Sequence, residues 1–232
     1  SEEDLVREVL RAIKRILELL TTLSKENLEV VKRIIEDLER VARENLRVIE
    51  EIIKKINVDE EMKKELDKEL KRLEDEHRKA IRELEELLEE HKRRLEEIRR
   101  RVDKELEDIK RANLPIEDLL KVIDDVVRKL LRLVKEDLES LRRIVRKLEE
   151  LLKKNLKLLR DVLRKLEDIA RKKNVDERII EEIRRTATEV LKRNEAVVKK
   201  IRELIKRVTE RNRKVLEEIK ELVKRIKDEL RR

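Results

Sequence analysis

Two histidines and a few hydroxyl and carboxyl side chains are the residues best suited to catalysis in this sequence. His91, Asp137 and Ser140 supply the residue types of a hydrolytic triad. Glu74 precedes His77 by three residues, which is the spacing of a helical di-metal motif. Each chemistry would need further groups around these residues.

Those further groups are missing from the pattern. A triad needs free N–H donors for an oxyanion, and the middle of an unbroken helix has none. A di-metal site needs a second Glu-x-x-His, but Leu88 stands three residues before His91. A haem would need histidines on facing helices, whereas both lie in one predicted helix. We therefore predict no enzyme, no catalytic residue, no metal and no cofactor.

The composition favours long helices. The 232 residues include 66 Lys or Arg and 58 Asp or Glu, for a net charge of +8. There is one Pro, and there is no Gly, Cys, Trp, Tyr or Phe. Tight hairpin turns use Gly and strands favour aromatic residues, so we predict an all-α chain. Without cysteine the chain has no disulfide or thiolate site.

Three short segments break the helical pattern. They are Asn57-Val58-Asp59, Asn113-Leu114-Pro115 and Asn174-Val175-Asp176. The predicted helices are residues 2–56, 59–112, 115–173 and 176–231, in a single domain of residues 1–232. We predict a left-handed C′ conformation at the first and third Asn, a helix N-cap at each Asp, and Pro115 at the first helical position.

The predicted architecture is an antiparallel up-down-up-down four-helix bundle, because such short connections bring consecutive helices together. At 1.5 Å per residue each helix is roughly 80 Å long. Core residues of the first helix alternate steps of four and three from Val6 to Ile52. This repeat of about 3.5 residues predicts a left-handed supercoil. The second helix is the most charged, so we expect it to be the least buried.

Polar residues interrupt the apolar core series at matching heights. Reflecting residue numbers through each connection predicts these heights to within about one turn, and places Asn155 opposite Asn194 and near His77. One predicted layer contains Asn45, His77, Asn155, Asn194 and Thr188, with Thr186 close by. The other contains Ser24, Asn27, His91, Asp137, Ser140, Thr209 and Asn212. We predict that each layer is a buried hydrogen-bonded network that sets helix register, since an apolar core tolerates a slip of one heptad.

The chain resembles computationally designed helical bundles with buried hydrogen-bond networks. The resemblance rests on matched helix lengths, minimal Asn-Val-Asp and Asn-Leu-Pro connections, an aromatic-free Leu, Ile and Val core, and a few polar core positions. It covers all 232 residues. It implies a scaffold, a homo-oligomer or one component of a heterodimer, in some cases with histidine networks that respond to pH. It implies no enzyme.

We predict a designed scaffold or assembly component with no natural biochemical activity. The alternative is a bundle that protonation of buried His77 and His91 loosens at acidic pH. A second alternative is weak, nonspecific polyanion binding through the net positive charge. Basic runs such as Arg99–Arg101 alternate with acidic residues, and no aromatic residue can stack on a base. These features argue against a nucleic-acid partner.

No partner is required, although self-association or designed partner helices would suit the broad apolar stripes of the first and third helices. We predict no membrane partner, since no apolar run approaches the roughly 18 residues of a span. The start of the sequence, Ser1 to Asp4, is acidic where a signal peptide would be basic. We expect a soluble chain made by recombinant cytoplasmic expression, and the sequence indicates no natural compartment.

Overall fold

The secondary structure is helical throughout the part of the chain that is described. The computed structural model describes residues 2–57 and 59–231, apart from the side chains of Glu2 and Asp137. These residues form four helices and no strand: α1 (Glu2–Ile56), α2 (Glu60–Arg111), α3 (Ile116–Lys172) and α4 (Glu177–Leu230). The prediction of an all-α chain with four helices is confirmed.

Asparagine ends three of the helices in the place where glycine is usual. Asn57, Asn113 and Asn174 have φ angles of 49°, 44° and 52°. Asn tolerates this left-handed region better than most residues that carry a Cβ, because its short polar side chain bonds locally. The conformation was predicted at Asn57 and Asn174, and the structure adds Asn113.

The end of α3 shows how such a cap satisfies the last carbonyl groups. The N–H of Val175 donates to the carbonyl of Ala170 at 3.3 Å, and the N–H of Asn174 donates to the carbonyl of Arg171 at 3.2 Å. These two bonds are those of a Schellman motif. The next residue, Asp176, begins the hydrogen bonding of α4, because its carbonyl accepts from Ile180 at 3.1 Å.

The starts of α2 and α3 use different caps. A carboxylate oxygen of Asp59 accepts from the N–H of Met62 at 3.1 Å, and its carbonyl accepts from Lys63 at 2.9 Å. The carbonyl of Pro115 accepts from Leu119 at 3.0 Å. Pro115 is therefore the N-cap and not the first helical residue, and the prediction was wrong by one position. The missing N–H of proline lies outside the helical ladder at either place.

The chain divides into two compact units, each with segments of all four helices. The first unit is Ser1–Val30, Glu86–Ile144 and Lys206–Arg232, and the second is Val31–Glu85 and Val145–Ile205. Each unit has its own core of Leu, Ile and Val side chains. Full burial of one such side chain stabilises the fold by about 1.5–3 kcal/mol. Among the described residues α2 contributes the fewest buried apolar side chains, as expected from its charge.

Candidate functional site

Two asparagines form a reciprocal amide pair between α1 and α4 in the second unit. Asn45 Nδ2 donates to Asn194 Oδ1 at 2.9 Å, and Asn194 Nδ2 donates back to Asn45 Oδ1 at 2.8 Å. The other N–H of Asn194 has the carbonyl of Val190 as its acceptor, at 2.7 Å. Asn194 is 9% exposed, and Asn45 is half-buried.

The first unit contains a second pair of the same kind. Asn27 and Asn212 exchange two hydrogen bonds of 2.9 Å each, and Asn212 Nδ2 also donates to the carbonyl of Val208 at 2.6 Å. This pair is the more deeply buried, because Asn27 is 4% exposed and Asn212 is 2% exposed. Neutral amides that exchange bonds in this way avoid the desolvation cost of about 1–3 kcal/mol for each unbonded polar group.

The two pairs have the same spacing on both helices. Counted along α1, Asn45 lies about five turns beyond Asn27, and counted along α4, Asn194 lies the same number of residues before Asn212. A single alignment of α1 with α4 therefore satisfies both pairs.

His77 of α2 is paired with Asn155 of α3 in the second unit. Asn155 Nδ2 lies 3.0 Å from His77 Nδ1. An amide nitrogen only donates, so Nδ1 is the acceptor and the neutral ring carries its proton on Nε2. The Nε2 atom is buried and makes no hydrogen bond of good geometry with the described residues.

Burial lowers the pKa of His77 below its ordinary value. Two weaker influences oppose this effect by favouring the protonated ring: the carboxylate of Glu39 and the nearby backbone of Leu38. The imidazolium loses more hydration than these groups restore, so the neutral ring is favoured.

The predicted layer of the second unit is thus present as two separate pairs, one joining α1 to α4 and one joining α2 to α3. The reflection of residue numbers placed Asn155 both opposite Asn194 and near His77, and in the structure Asn155 bonds to His77. The reflection gave residue 73 of α2 opposite Asn155, so the observed partner, His77, lies about one turn further along α2.

Thr188 does not belong to this layer. Its side chain is exposed, and its hydroxyl donates to the carbonyl of Arg184 within α4 at 2.8 Å. Thr188 lies two residues before the buried Val190, so it points roughly 200° away around the helix. The Thr186 hydroxyl also bonds within its own helix, to the carbonyl of Glu182.

In the predicted layer of the first unit, the structure shows hydrogen bonds between Asn27 and Asn212. Ser24 and His91 are buried, as are Asn27 and Asn212 of the amide pair. Ser140 is half-buried, and the side chain of Asp137 lies outside the described residues. Thr209 is exposed, and its place in the buried network was wrong. It follows the inward position 208 by one residue, which turns it about 100° away from the core.

One feature was missed from the sequence: the four paired residues of the second unit, Asn45, Asn194, His77 and Asn155, all line a cavity of about 460 Å³. Its wall includes small side chains next to the polar positions, such as Ala42, three residues before Asn45. The short side chain of Ala42 beside a polar core position indicates incomplete filling of the core, but the size of the cavity depends on the packing of all four helices.

The described part of the chain contains neither a cluster of metal-ligating side chains nor a membrane-spanning helix. No group of three or more His, Cys, Asp or Glu side chains among those residues is arranged to hold a metal ion. None of the helices, over the same residues, has a stretch long and apolar enough to span a membrane.

The comparisons with known proteins do not assign this chain to a family. No protein-family model and no curated protein matches the sequence. A solved structure titled "Computationally designed three helix bundle" is 22% identical, with 99% of this chain and 96% of that chain covered, at a TM-score of 0.25. A TM-score this low establishes no common fold, so the likeness supports neither a fold nor a function for this chain.

Proposed function

We propose that the chain is a designed structural scaffold or assembly component, with no natural biochemical activity, in which buried polar pairs set the register of the helices. The observation that carries this proposal is the presence of two reciprocal Asn pairs, between α1 and α4, at equal spacing on both helices.

The physical reason is that aliphatic side chains do not distinguish neighbouring heptads. A slip of α4 by seven residues would still place Leu, Ile and Val against one another. The same slip would place four amides against aliphatic side chains, at about 1–3 kcal/mol for each group left unbonded. Both Asn pairs therefore raise the free energy of the slipped alignment, and this difference in free energy selects a single register.

We also propose that the helices run antiparallel, up-down-up-down, with a left-handed supercoil. Within the second unit, Glu69 pairs with Lys165 and Glu83 pairs with Lys147, so residue numbers rise on α2 as they fall on α3. The alternating steps of four and three in α1 support the supercoil.

The proposal includes no enzymatic activity and no nucleic-acid or membrane partner. The helices are continuous around His77, His91 and Ser140, so their backbone N–H groups are used within the helices. Many exposed basic residues pair with acidic residues of the same helix, as Arg101 does with Glu97 at 2.8 Å. Such pairing leaves less basic surface for a polyanion.

Spin labels test the role of the Asn pairs directly. Lys55 of α1 and Glu182 of α4 form an exposed ion pair at 3.2 Å, and the absence of native cysteine allows labels at these two positions alone. We expect one narrow distance distribution in the parent chain. A variant in which all four Asn of the amide pairs are replaced by Leu should show a broader distribution or a second distance. An unchanged narrow distribution in that variant would show that the pairs do not set register.

A second candidate function, a pH-responsive bundle, is favoured by the buried His77. The lowered pKa of this residue means that protonation in the folded state is opposed by burial. Acid therefore stabilises the unfolded chain relative to the folded one. The pH experiment in the Discussion separates this candidate from a pH-indifferent scaffold.

A further inference from the structure

The cavity of the second unit combines an apolar wall with a few neutral polar groups. Apolar side chains come from all four helices, for example Leu46, Ile81, Leu156 and Val198. The polar groups inside are the three amides and the imidazole described above. A volume of about 460 Å³ lies within the roughly 300–1,000 Å³ that small-molecule sites occupy.

The charged residues of the cavity show where it opens. Glu39 and Arg43 belong to α1, and Glu74, Arg78, Arg82 and Glu85 belong to α2, while α3 and α4 contribute no charged residue. Charged groups keep to water, so the mouth lies between α1 and α2. Three acidic and three basic residues balance there, and the mouth therefore favours neither sign of ligand charge.

The α1–α2 side of the second unit is also the side without ion pairs. The other neighbouring helices of this unit are joined by pairs such as Lys55–Glu182, Lys147–Glu83 and Arg160–Glu195. Among the described residues no ion pair joins α1 to α2. No ion pair between described residues of α1 and α2 therefore blocks the entry of a ligand.

The cavity contains a hydrogen-bond acceptor that no described residue uses. Asn155 donates from Nδ2 to His77, whereas its Oδ1 accepts no hydrogen bond from the described residues. An amide oxygen has two lone pairs, so it can accept from a hydroxyl group. The cavity is lined by no acidic or basic residue apart from those of α1 and α2 and His77 itself, so nothing at its inner wall would compensate a ligand charge.

We infer that this cavity binds one neutral small molecule, with an apolar body and a hydroxyl group that donates to Asn155 Oδ1. The molecule enters between α1 and α2, and its apolar body displaces water from the aliphatic wall. This activity goes beyond that of a scaffold, because it gives the chain a site of defined chemistry.

The composition of the chain makes the inference easy to test. With no Trp, Tyr or Phe, the protein adds no aromatic signal to the fluorescence of an aromatic probe. We propose β-naphthol as the probe and naphthalene as the matched compound that lacks the hydroxyl. We expect β-naphthol to bind with saturation at one equivalent and to raise the melting temperature, since a ligand that binds only the folded state stabilises it.

One comparison of two variants and one comparison of two probes test where the ligand binds. Ala42→Phe fills the cavity, while Ala12→Phe makes the same change at a partly buried α1 position in the first unit. We expect A42F to weaken β-naphthol binding by about tenfold or more and A12F to leave it unchanged. Asn155→Leu should weaken β-naphthol binding several-fold more than naphthalene binding, because only β-naphthol loses a hydrogen bond.

The outcomes either support or overturn the inference. Circular dichroism of each variant verifies that it is folded, and Val198→Leu in the same wall takes the place of A42F if that variant loses its helical signal. Unsaturable binding overturns the inference, as does equal binding to the parent and to the filled variant. Equal losses for β-naphthol and naphthalene in Asn155→Leu would overturn the assignment of the hydroxyl acceptor.

Discussion

The deeply buried Asn27–Asn212 pair allows the sharpest test of how these polar groups act. Replacing Asn212 by Leu leaves both polar ends of Asn27 unbonded in a site that is 4% exposed. Each unbonded group costs about 1–3 kcal/mol, and burial of the new Leu offsets roughly 1.5–3 kcal/mol. We therefore expect a net loss of roughly 1–3 kcal/mol in the free energy of unfolding for Asn212→Leu. The loss should be smaller for Asn27→Leu, because Asn212 keeps its bond to the carbonyl of Val208.

The double variant should behave differently. Replacing both Asn27 and Asn212 by Leu removes every polar atom of the pair and adds two apolar side chains to the core of the first unit. Its stability should lie within about 1 kcal/mol of the parent chain or above it. The double-mutant cycle should then give an interaction energy on the order of 2 kcal/mol.

Guanidinium unfolding followed by far-ultraviolet circular dichroism measures these four free energies. The matched cycle at Asn45 and Asn194 provides a control of the same chemistry. Because Asn45 is only half-buried, water can reach the orphaned amide, and we expect a smaller interaction energy there. Additive losses in the first cycle, or a larger interaction energy in the second, would refute the view that buried, mutually bonded amides hold these helices in register.

The remaining predictions concern single positions. Burial lowers the pKa of His77, so its contribution to stability is fully present above the unfolded pKa of about 6.5 and declines below it, by at most about 1.4 kcal/mol per pH unit. His77→Asn should reduce the pH dependence of the free energy of unfolding between about pH 7 and pH 5 more than His91→Asn does. An equal pH dependence in the parent chain and both variants would exclude the switch. At Asn174, where φ is 52°, Ala should cost about 1 kcal/mol in thermal unfolding and Gly should cost nothing measurable. Glu97→Gln removes the exposed ion pair with Arg101 and should change stability by less than about 0.5 kcal/mol, a limit that a larger measured loss would contradict.

The helix ends could be predicted from the sequence because capping is local. Whether Asn57 turns left-handed or Asp59 caps α2 depends on a few adjacent backbone groups. The heptad pattern likewise located the core polar positions, because inward residues recur at a fixed spacing. Asn27, Asn194 and Asn212 are all buried where the pattern placed them.

Which polar side chains bond to one another could not be predicted in the same way. It depends on which neighbouring helix each side chain turns toward: Asn155 was predicted at the height of both Asn194 and His77, and it bonds to His77. Thr188 and Thr209 were assigned by height alone, and a residue at the right height can still point outward. The cavity depends on how side chains of four helices fill a shared volume, and no single helix pattern contains that information.

Because the amide pairs are equally spaced on both helices, they do not by themselves distinguish α4 from the α1 helix of a second copy. An Asn pair is unchanged when its two members are exchanged, and α1 and α4 carry their amides the same distance apart. An antiparallel α1 from a second copy would therefore satisfy Asn27 and Asn45 as completely as α4 does. The surface charges oppose this exchange only in part: Glu26, which pairs with Arg211 of α4, would then lie near Glu44 of the other copy. Asp37, which pairs with Lys200, would lie near Arg33 and keep an oppositely charged neighbour. The connection of α1 and α4 in one chain therefore favours the internal pairing. Raising the salt concentration weakens the repulsion between Glu26 and Glu44 while leaving the uncharged amide pairs intact.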